Sequence, residues 1–497
     1  MATRLWYSKY DSTGLCKMFP TLKNIFEKNA LLISLLLAFI LRTTAAIFNF
    51  GPAAYDDSQN ILDPALQLLF GKHDIEVPAE RFFSLPYLFY LFMKPISLLG
   101  VDRADYLVSS GYFFIGLLSL FQILGIYKLA GLYLNRKWQN LITLSSSVYA
   151  LSPFYATRVE LDGLAMIPMT WALYFISKKE PLLSSRVWGG FFLALSVYLK
   201  FSIAPVFFVL AGYLFIKDEK KFQGLMGISA GGAIVLFLMV TEEIIVGRSP
   251  LSTVFSYLDY NYTHHVGSQS YGTMPWYTYL AILAVYFIPP FSFPLLYAFI
   301  KGIKNSLLPA LVLTIFVILY SIVPFKLDRY ILPIIPAFFL ITFRGLQELE
   351  SNKLVQRSFY LFLIFSSLIS ILAATNGSQL ANIKGTIELG QLKKQHRILY
   401  KIDPFWHSFY GIQNKYPERL SEIEDLKNSL QQKRSQEVYV LSFLSIPENE
   451  LKLLSSNKIQ CIEKNRFYPS YAEALIIKLN PQFNNRRRET VLYLCNP

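Results

Sequence analysis

About eleven mostly apolar runs punctuate the first 375 residues of this 497-residue chain, at 30–50, 107–133, 138–156, 163–177, 187–201, 202–217, 223–246, 275–299, 306–324, 330–345 and 357–375. A helix needs about 20 such residues to cross the hydrocarbon core of a bilayer. A soluble protein carries about a quarter charged residues; this chain is 16% charged and 53% hydrophobic. The pattern predicts an all-α polytopic membrane bundle of about 11 transmembrane helices. Roughly 29 polar and basic residues precede the first run and no clear cleavage point follows it, so it reads as a retained first span. Residues 84–100, with Pro86 and Pro95, read as a helix lying at the interface.

The net charge of +14 is spread in short Lys/Arg clusters between the runs, at 135–137, 177–186, 217–221, 301–304 and 344–357. That spacing fits topology signals rather than a nucleic-acid surface, so no nucleic-acid partner is expected. With 84–100 kept at the interface, every cluster falls on one side, which the positive-inside rule makes cytoplasmic. The remaining ionisable residues then gather on the opposite face, at the ends of many helices. Ionisable groups at the membrane edge are costly and mark function.

An odd number of spans leaves residues 376–497 extracytoplasmic. There, 437–446, 474–479 and 489–495 read as strands and 415–435 as a helix. The expected organisation is a transmembrane domain, 1–375, and a small C-terminal α/β domain, 376–497. Three cysteines exclude a disulfide scaffold, and their spacing holds no metal motif. Cys461 and Cys495 either pair, in an oxidising compartment, or remain free thiols.

The candidate site residues come from separate loops. "GPAAYDDSQN" places the adjacent carboxylates Asp56 and Asp57 at the exit of the first run. They serve either as a cap or solvated start of the next helix, or as a general base. Arg158 and Asp162 in "YATRVELDGLAM" are four apart, which on a helix would give a shared face and an ion pair. Lys200 is either a snorkelling lysine or an outward-facing phosphate ligand. Lys326 and Arg329 in "FKLDRYILPIIPAF" are two cations at an outer edge, a common phosphate-binding pair. His264 and His265 read either as polar loop residues that contact substrate or as part of a bland loop. Glu242 and Glu243 read as a solvated helix end. The chain has no Walker motif and no GxGxxG at a strand–helix junction, so a membrane-borne donor is expected instead of a nucleotide.

In this order the motifs resemble the GT-C superfamily of integral-membrane glycosyltransferases. The resemblance rests on "YDDSQNILDPALQLLFGK", "RFFSLPYL", "SPFYATRVELDGLAM", "YGTMPWYTYL" and "FKLDRYILPIIPAF", across about residues 30–345. It departs at Phe325 and Leu327, where the family stretch has His and Glu. It implies inverting transfer of a sugar, with mannose favoured, from a polyprenyl- or dolichyl-phosphate donor to a hydroxyl of a glycan, lipid or protein. Asp57, or Asp56, would be the base. Lys326, Arg329, and Lys200 or Arg158 would stabilise the phosphate, and Asp162 would orient substrate or a divalent cation, which some members use. The expected setting is a bacterial inner membrane, with the endoplasmic reticulum as the alternative. A transporter or flippase of lipid-linked sugars is the competing reading. It would call for polar residues in mid-span and inverted repeats.

Overall fold

The computed structural model describes residues 15–49, 51, 58–71, 75, 77–101, 103–179, 182–217, 221–264, 272–392, 396–401, 418–433, 436–480 and 488–496. Among the described residues, five helical stretches are long and apolar enough to cross a membrane: Lys28–Phe48, Asp105–Ala130, Lys221–Ile245, Asp328–Glu348 and Lys353–Gln391. The pair Ser292–Ile303 and Leu307–Ile322, bent by 118°, makes a sixth if counted as one span. Leu161–Ser177, Leu183–Leu199 and Phe201–Lys217 are shorter apolar helices. At 1.5 Å per residue, such 17-residue pieces reach about 25 Å.

In chain order, α1 (Leu15–Phe48) leads into the first loop, where α2 (Asp63–Leu69) forms. Then comes α3 (Ser84–Leu98), the expected interfacial helix, and the long α4 (Ala104–Ala130). The run at 138–156 divides into α5 (Arg136–Ser147) and the single turn α6 (Ser152–Tyr155), interrupted by three serines and Pro153. The helices α7 (Leu161–Ser177), α8 (Leu183–Leu199), α9 (Ala204–Lys217), α10 (Lys221–Ile245) and α11 (Ser252–Leu258) follow. The run at 275–299 is not one helix. It breaks into α12 (Thr278–Val285) and α13 (Ser292–Ile303), because Pro289 and Pro290 offer no N–H to continue the ladder. Next are α14 (Leu307–Ile322), α15 (Ile335–Glu348) and α16 (Lys353–Thr375).

The helices meet through small residues, as membrane helices do when lipid offers no hydrophobic drive. Where α13 crosses α15, a Cβ on Gly345 would stand 1.7 Å from the carbonyl oxygen of Ala298, so only glycine permits the approach. The main core gathers Trp138, Phe287, Phe316 and Phe338. A second core joins Leu62 and Leu66 of the first loop to Leu85 and Phe89 of α3 and Tyr112 of α4.

Beyond α16 lie α17 (Leu380–Gln391), β1 (His396–Tyr400), β2 (Glu418–Leu420), α18 (Ile423–Gln432), β3 (Val438–Phe443), α19 (Glu448–Ser456), β4 (Gln460–Phe467), α20 (Tyr471–Leu479) and β5 (Thr490–Asn496). The sheet order is β2-β1-β3-β5-β4. β1 runs parallel to β2 and β3, and β5 runs antiparallel to β3 and β4. Cys461 and Cys495 stand opposite in the β4–β5 register and form a disulfide. The strands expected at 437–446 and 489–495 are β3 and β5. The stretch at 474–479, expected as a strand, is helix α20, because Ser470 and Glu473 form a reciprocal capping box at its start. The expected helix at 415–435 is shorter, with β2 occupying its beginning. Ile383 of α17 is buried in the second core, so this region packs directly on the first-loop helices.

Candidate active site

The first loop is held by what its flanks can bond. Helix α1 ends with carbonyls that lack intrahelical donors. Arg158, fully buried, supplies donors there: Nε donates to Gly51 O at 2.6 Å and Nη2 to Asn49 O, with a longer bond of 3.4 Å to Ala45 O, which also accepts from Asn49 N. Its guanidinium also lies 4.3 Å from the Tyr112 ring centroid. Asn49 reaches the other way. Its Nδ2 donates to Ala373 O at 3.0 Å, and its Oδ1 accepts from Ser378 N at 3.4 Å. Gly51 presses on the same point, where a Cβ would sit 2.2 Å from Ser378 O. The loop therefore leaves α1 clamped between Arg158 and the segment following α16. Asp56 and Asp57 lie outside the described residues, between Gly51 and Ser58.

The stretch 158–162 is the hub. Glu160, with a fully buried side chain, is the N-cap of α7. It accepts from Asp162 N at 3.2 Å and Gly163 N at 2.5 Å, and its Oε1 stands 3.7 Å from Arg329 Nε. Asp162, also fully buried, pairs with Lys200 Nζ at 2.9 Å, while its Oδ1 has no hydrogen-bond partner among the described residues. Lys200 is 12% exposed and Arg329 13%, so both cations are largely withdrawn from water but still reachable. The Lys200 ammonium lies 4.3 Å from the centroid of the Tyr330 ring. Tyr155 donates to Asp328 Oδ2 at 2.9 Å and Tyr286 to Asp328 O at 3.0 Å, fixing the turn that presents Arg329.

Several expected placements differ. Arg158 and Asp162 share no helical face, because α7 starts only at Leu161, after the Glu160 cap. Lys200 does not snorkel; Asp162 holds it. Lys326 is buried, and its ammonium donates to Val323 O at 2.6 Å and Met274 O at 3.2 Å, which binds the 272–277 segment to the loop before Arg329. Burial pulls the Lys326 ammonium below the usual lysine pKa. His264 is exposed and sits 3.2 Å from Asp259; His265 lies outside the described residues. Glu242 and Glu243 are not a solvated end. Glu242 accepts from Ser84 N at 2.7 Å and Tyr198 OH at 2.8 Å. Glu243 is buried and accepts from Thr253 N at 2.7 Å. Sequence reasoning passed over Glu160 as a functional residue. Its signal was a carboxylate just before an apolar helical run, the position of an N-cap.

An apolar cavity of about 730 Å³ runs between α3, α4, α7, α8 and α10, lined by Phe89, Phe121, Phe191, Phe192 and Leu195, with Ser84 and Glu242 also on its wall. Leu85, Tyr198 and Leu199 line both this groove and a smaller pocket that holds Arg81, Lys200 and Tyr257. The wall of the groove is thus shared with the pocket of Lys200. Arg248 pins its rim by donating to Val77 O and Arg81 O, each at 2.9 Å. Among the described residues, no three His, Cys, Asp or Glu side chains gather as a metal site would require.

The sequence model of the Alg9-like mannosyltransferase family matches residues 29–401. The chain belongs to that family. The Alg9-like mannosyltransferases fall in the GT-C clan, and the chain is thus a glycosyltransferase acting on lipid-linked sugar. Its fold is similar to the crystal structure of ArnT from Cupriavidus metallidurans bound to undecaprenyl phosphate, at 13% identity and TM-score 0.59, over 93% of this chain and 97% of that one. ArnT in the apo state is similar at 11% identity and TM-score 0.58, over 96% and 98% of the two chains. The Archaeoglobus fulgidus oligosaccharyltransferase in complex with Zn and sulfate is similar at 13% identity and TM-score 0.51, over 83% and 67%. No curated protein matches this Alg9-like chain significantly by sequence.

Proposed function

We propose that this protein transfers a mannosyl group from a polyprenyl-phosphate donor to an acceptor hydroxyl at the extracytoplasmic face of its membrane, inverting the anomeric centre. The observation that carries the reading is that Lys200, held by Asp162, lines a small pocket that shares Leu85, Tyr198 and Leu199 with the apolar groove, while Arg329 stands beside Glu160, two residues before Asp162. A lipid phosphate needs both parts: a channel for its tail and fixed cations for its head. The undecaprenyl phosphate of the ArnT structure supports the donor class, and the family membership supports mannose.

The acceptor hydroxyl attacks C1 of the sugar. Its proton passes to the Asp57 carboxylate, with Asp56 beside it. The bond from C1 to the phosphate oxygen breaks, and the lipid phosphate leaves with the electron pair. Lys200 and Arg329 neutralise the developing charge, which is worth several kcal/mol in a water-poor site. The free Oδ1 of Asp162 orients a sugar hydroxyl. Arg158 and Lys326 act through the backbone they hold.

The test is purified protein in nanodiscs with labelled polyprenyl-phosphate mannose, glucose and aminoarabinose. Consumption of the mannosyl donor is expected. Consumption of another donor instead overturns the sugar, and consumption of none overturns the reading.

A further inference from the structure

Helix α20, YAEALIIKL, is unusually apolar for a helix at the surface of a water-exposed domain. Tyr471, Leu475 and Leu479 fall at i, i+4 and i+8 and are 75%, 47% and 77% exposed. Ile476 and, just ahead of the helix, Tyr468 are exposed too. The helix is nonetheless well made. Ser470 and Glu473 close its first turn with a capping box, and Glu473 is itself buried.

That first turn is fastened to the point where the chain leaves the membrane. Ala472 N donates to Asn376 Oδ1 at 3.3 Å, one residue beyond the end of α16. Glu473 accepts from Gln379 N at 2.5 Å and from Leu380 N at 3.4 Å, so one carboxylate caps both α20 and α17. On α16, Leu368, Ile371 and Leu372 are about half exposed and form the lipid-facing stripe of a membrane-length helix. The exposed apolar residues of α16 and those of α20 thus lie on either side of this fastening point.

We propose that α20 is a membrane-docking helix, lying in the interfacial layer of the leaflet from which α16 emerges. Its partner is the bilayer. Leu475, Ile476 and Leu479 enter the acyl boundary, Tyr468 and Tyr471 sit at headgroup level, and Lys478 extends its ammonium to the lipid phosphates. The C-terminal sheet is thereby held on the membrane at a second point besides α16. Because Asn49 and Gly51 rest on Ser378, that docking also steadies the start of the first loop.

The test uses the full chain in nanodiscs, with Cys16→Ser removing the unpaired thiol outside the Cys461–Cys495 bond. Leu475→Cys and Leu479→Cys are spin-labelled one at a time, under non-reducing conditions. Collision with oxygen, which concentrates in lipid, is compared with collision with a water-soluble nickel chelate. Leu368→Cys on α16 is the lipid reference and Lys452→Cys on α19 the aqueous one. Oxygen collision several-fold above that of the chelate at 475 and 479, as at 368, is expected. Chelate access equal to that at 452 overturns the proposal. So does shielding from both probes, which would mean that protein, such as a second copy, covers the helix.

Discussion

Arg158 and Gly51, 107 residues apart, meet in a 2.6 Å hydrogen bond that fastens the start of the first loop to the hub of the cation cluster. Two residues beyond Arg158, Glu160 faces Arg329; four beyond it, Asp162 holds Lys200. The five residues from Arg158 to Asp162, across the start of α7, thus connect the start of the first loop to both phosphate-binding candidates.

Arg158→Lys is expected to lose most of that fastening. One ammonium cannot reach Ala45, Asn49 and Gly51 together, and each buried carbonyl left bare costs about 1–3 kcal/mol. The expected result is a drop in melting temperature of several degrees in detergent, with loss of transfer activity. Thermal unfolding followed by tryptophan emission checks it.

Lys200→Met strands the buried Asp162 carboxylate, at a cost of about 3 kcal/mol. Adding Asp162→Asn to Lys200→Met is expected to restore much of the stability but none of the turnover. Stability and kcat measured through this double-mutant cycle separate the structural part of the pair from its role toward phosphate.

Glu160→Gln keeps an oxygen to cap α7 but removes the charge opposite Arg329. Turnover is expected to fall about tenfold to a hundredfold, as for a lost polar contact of about 1.5–3 kcal/mol, with a smaller fall in melting temperature than Glu160→Ala gives. Glu160→Ala loses the cap as well, about 1 kcal/mol more. The contrast in kcat and melting temperature between the two variants is the check.

Gly51→Ala places a methyl group 2.2 Å from Ser378 O, where the backbone must shift to admit it. The expected cost is about 2 kcal/mol, together with reduced kcat, because the loop bearing Asp57 moves with Gly51. Steady-state kinetics beside thermal unfolding tests both parts.

If Lys200 and Arg329 are the groups that meet the phosphate, chelation is expected to leave activity unchanged. Transfer assayed with EDTA, and again after adding back magnesium, manganese or zinc, decides this. Loss on chelation with rescue by one ion would require a metal in the site.

The apolar runs made the membrane bundle legible, because hydrocarbon thickness fixes how long such a run must be. The break at Pro289–Pro290 was also written in the chain; a run counted only by its apolar residues conceals it. Helix α20 was misread because "ALIIKL" is aliphatic throughout, although Ser470-x-x-Glu473 signalled a helix start. The site is a different matter. Asp162, Lys200 and Arg329 could be picked out as charges at a membrane edge. Which charge meets which could not be read, because the partners lie 38 residues apart for one pair and on a separate loop for the other. Arg158 illustrates the point: its acceptors include the backbone carbonyls of Asn49 and Gly51, which leave no trace in the identity of the residues that carry them.

The central claim is that the first-loop carboxylate serves a lipid phosphate-sugar gripped by Lys200 and Arg329. Single-turnover transfer from labelled polyprenyl-phosphate mannose, measured beside donor binding in nanodiscs, tests it most directly on Asp57→Asn. The account predicts that the donor still binds while transfer falls at least a hundredfold, the scale of a lost general base. Transfer at the wild-type rate by Asp57→Asn, and again by Asp56→Asn, would contradict it.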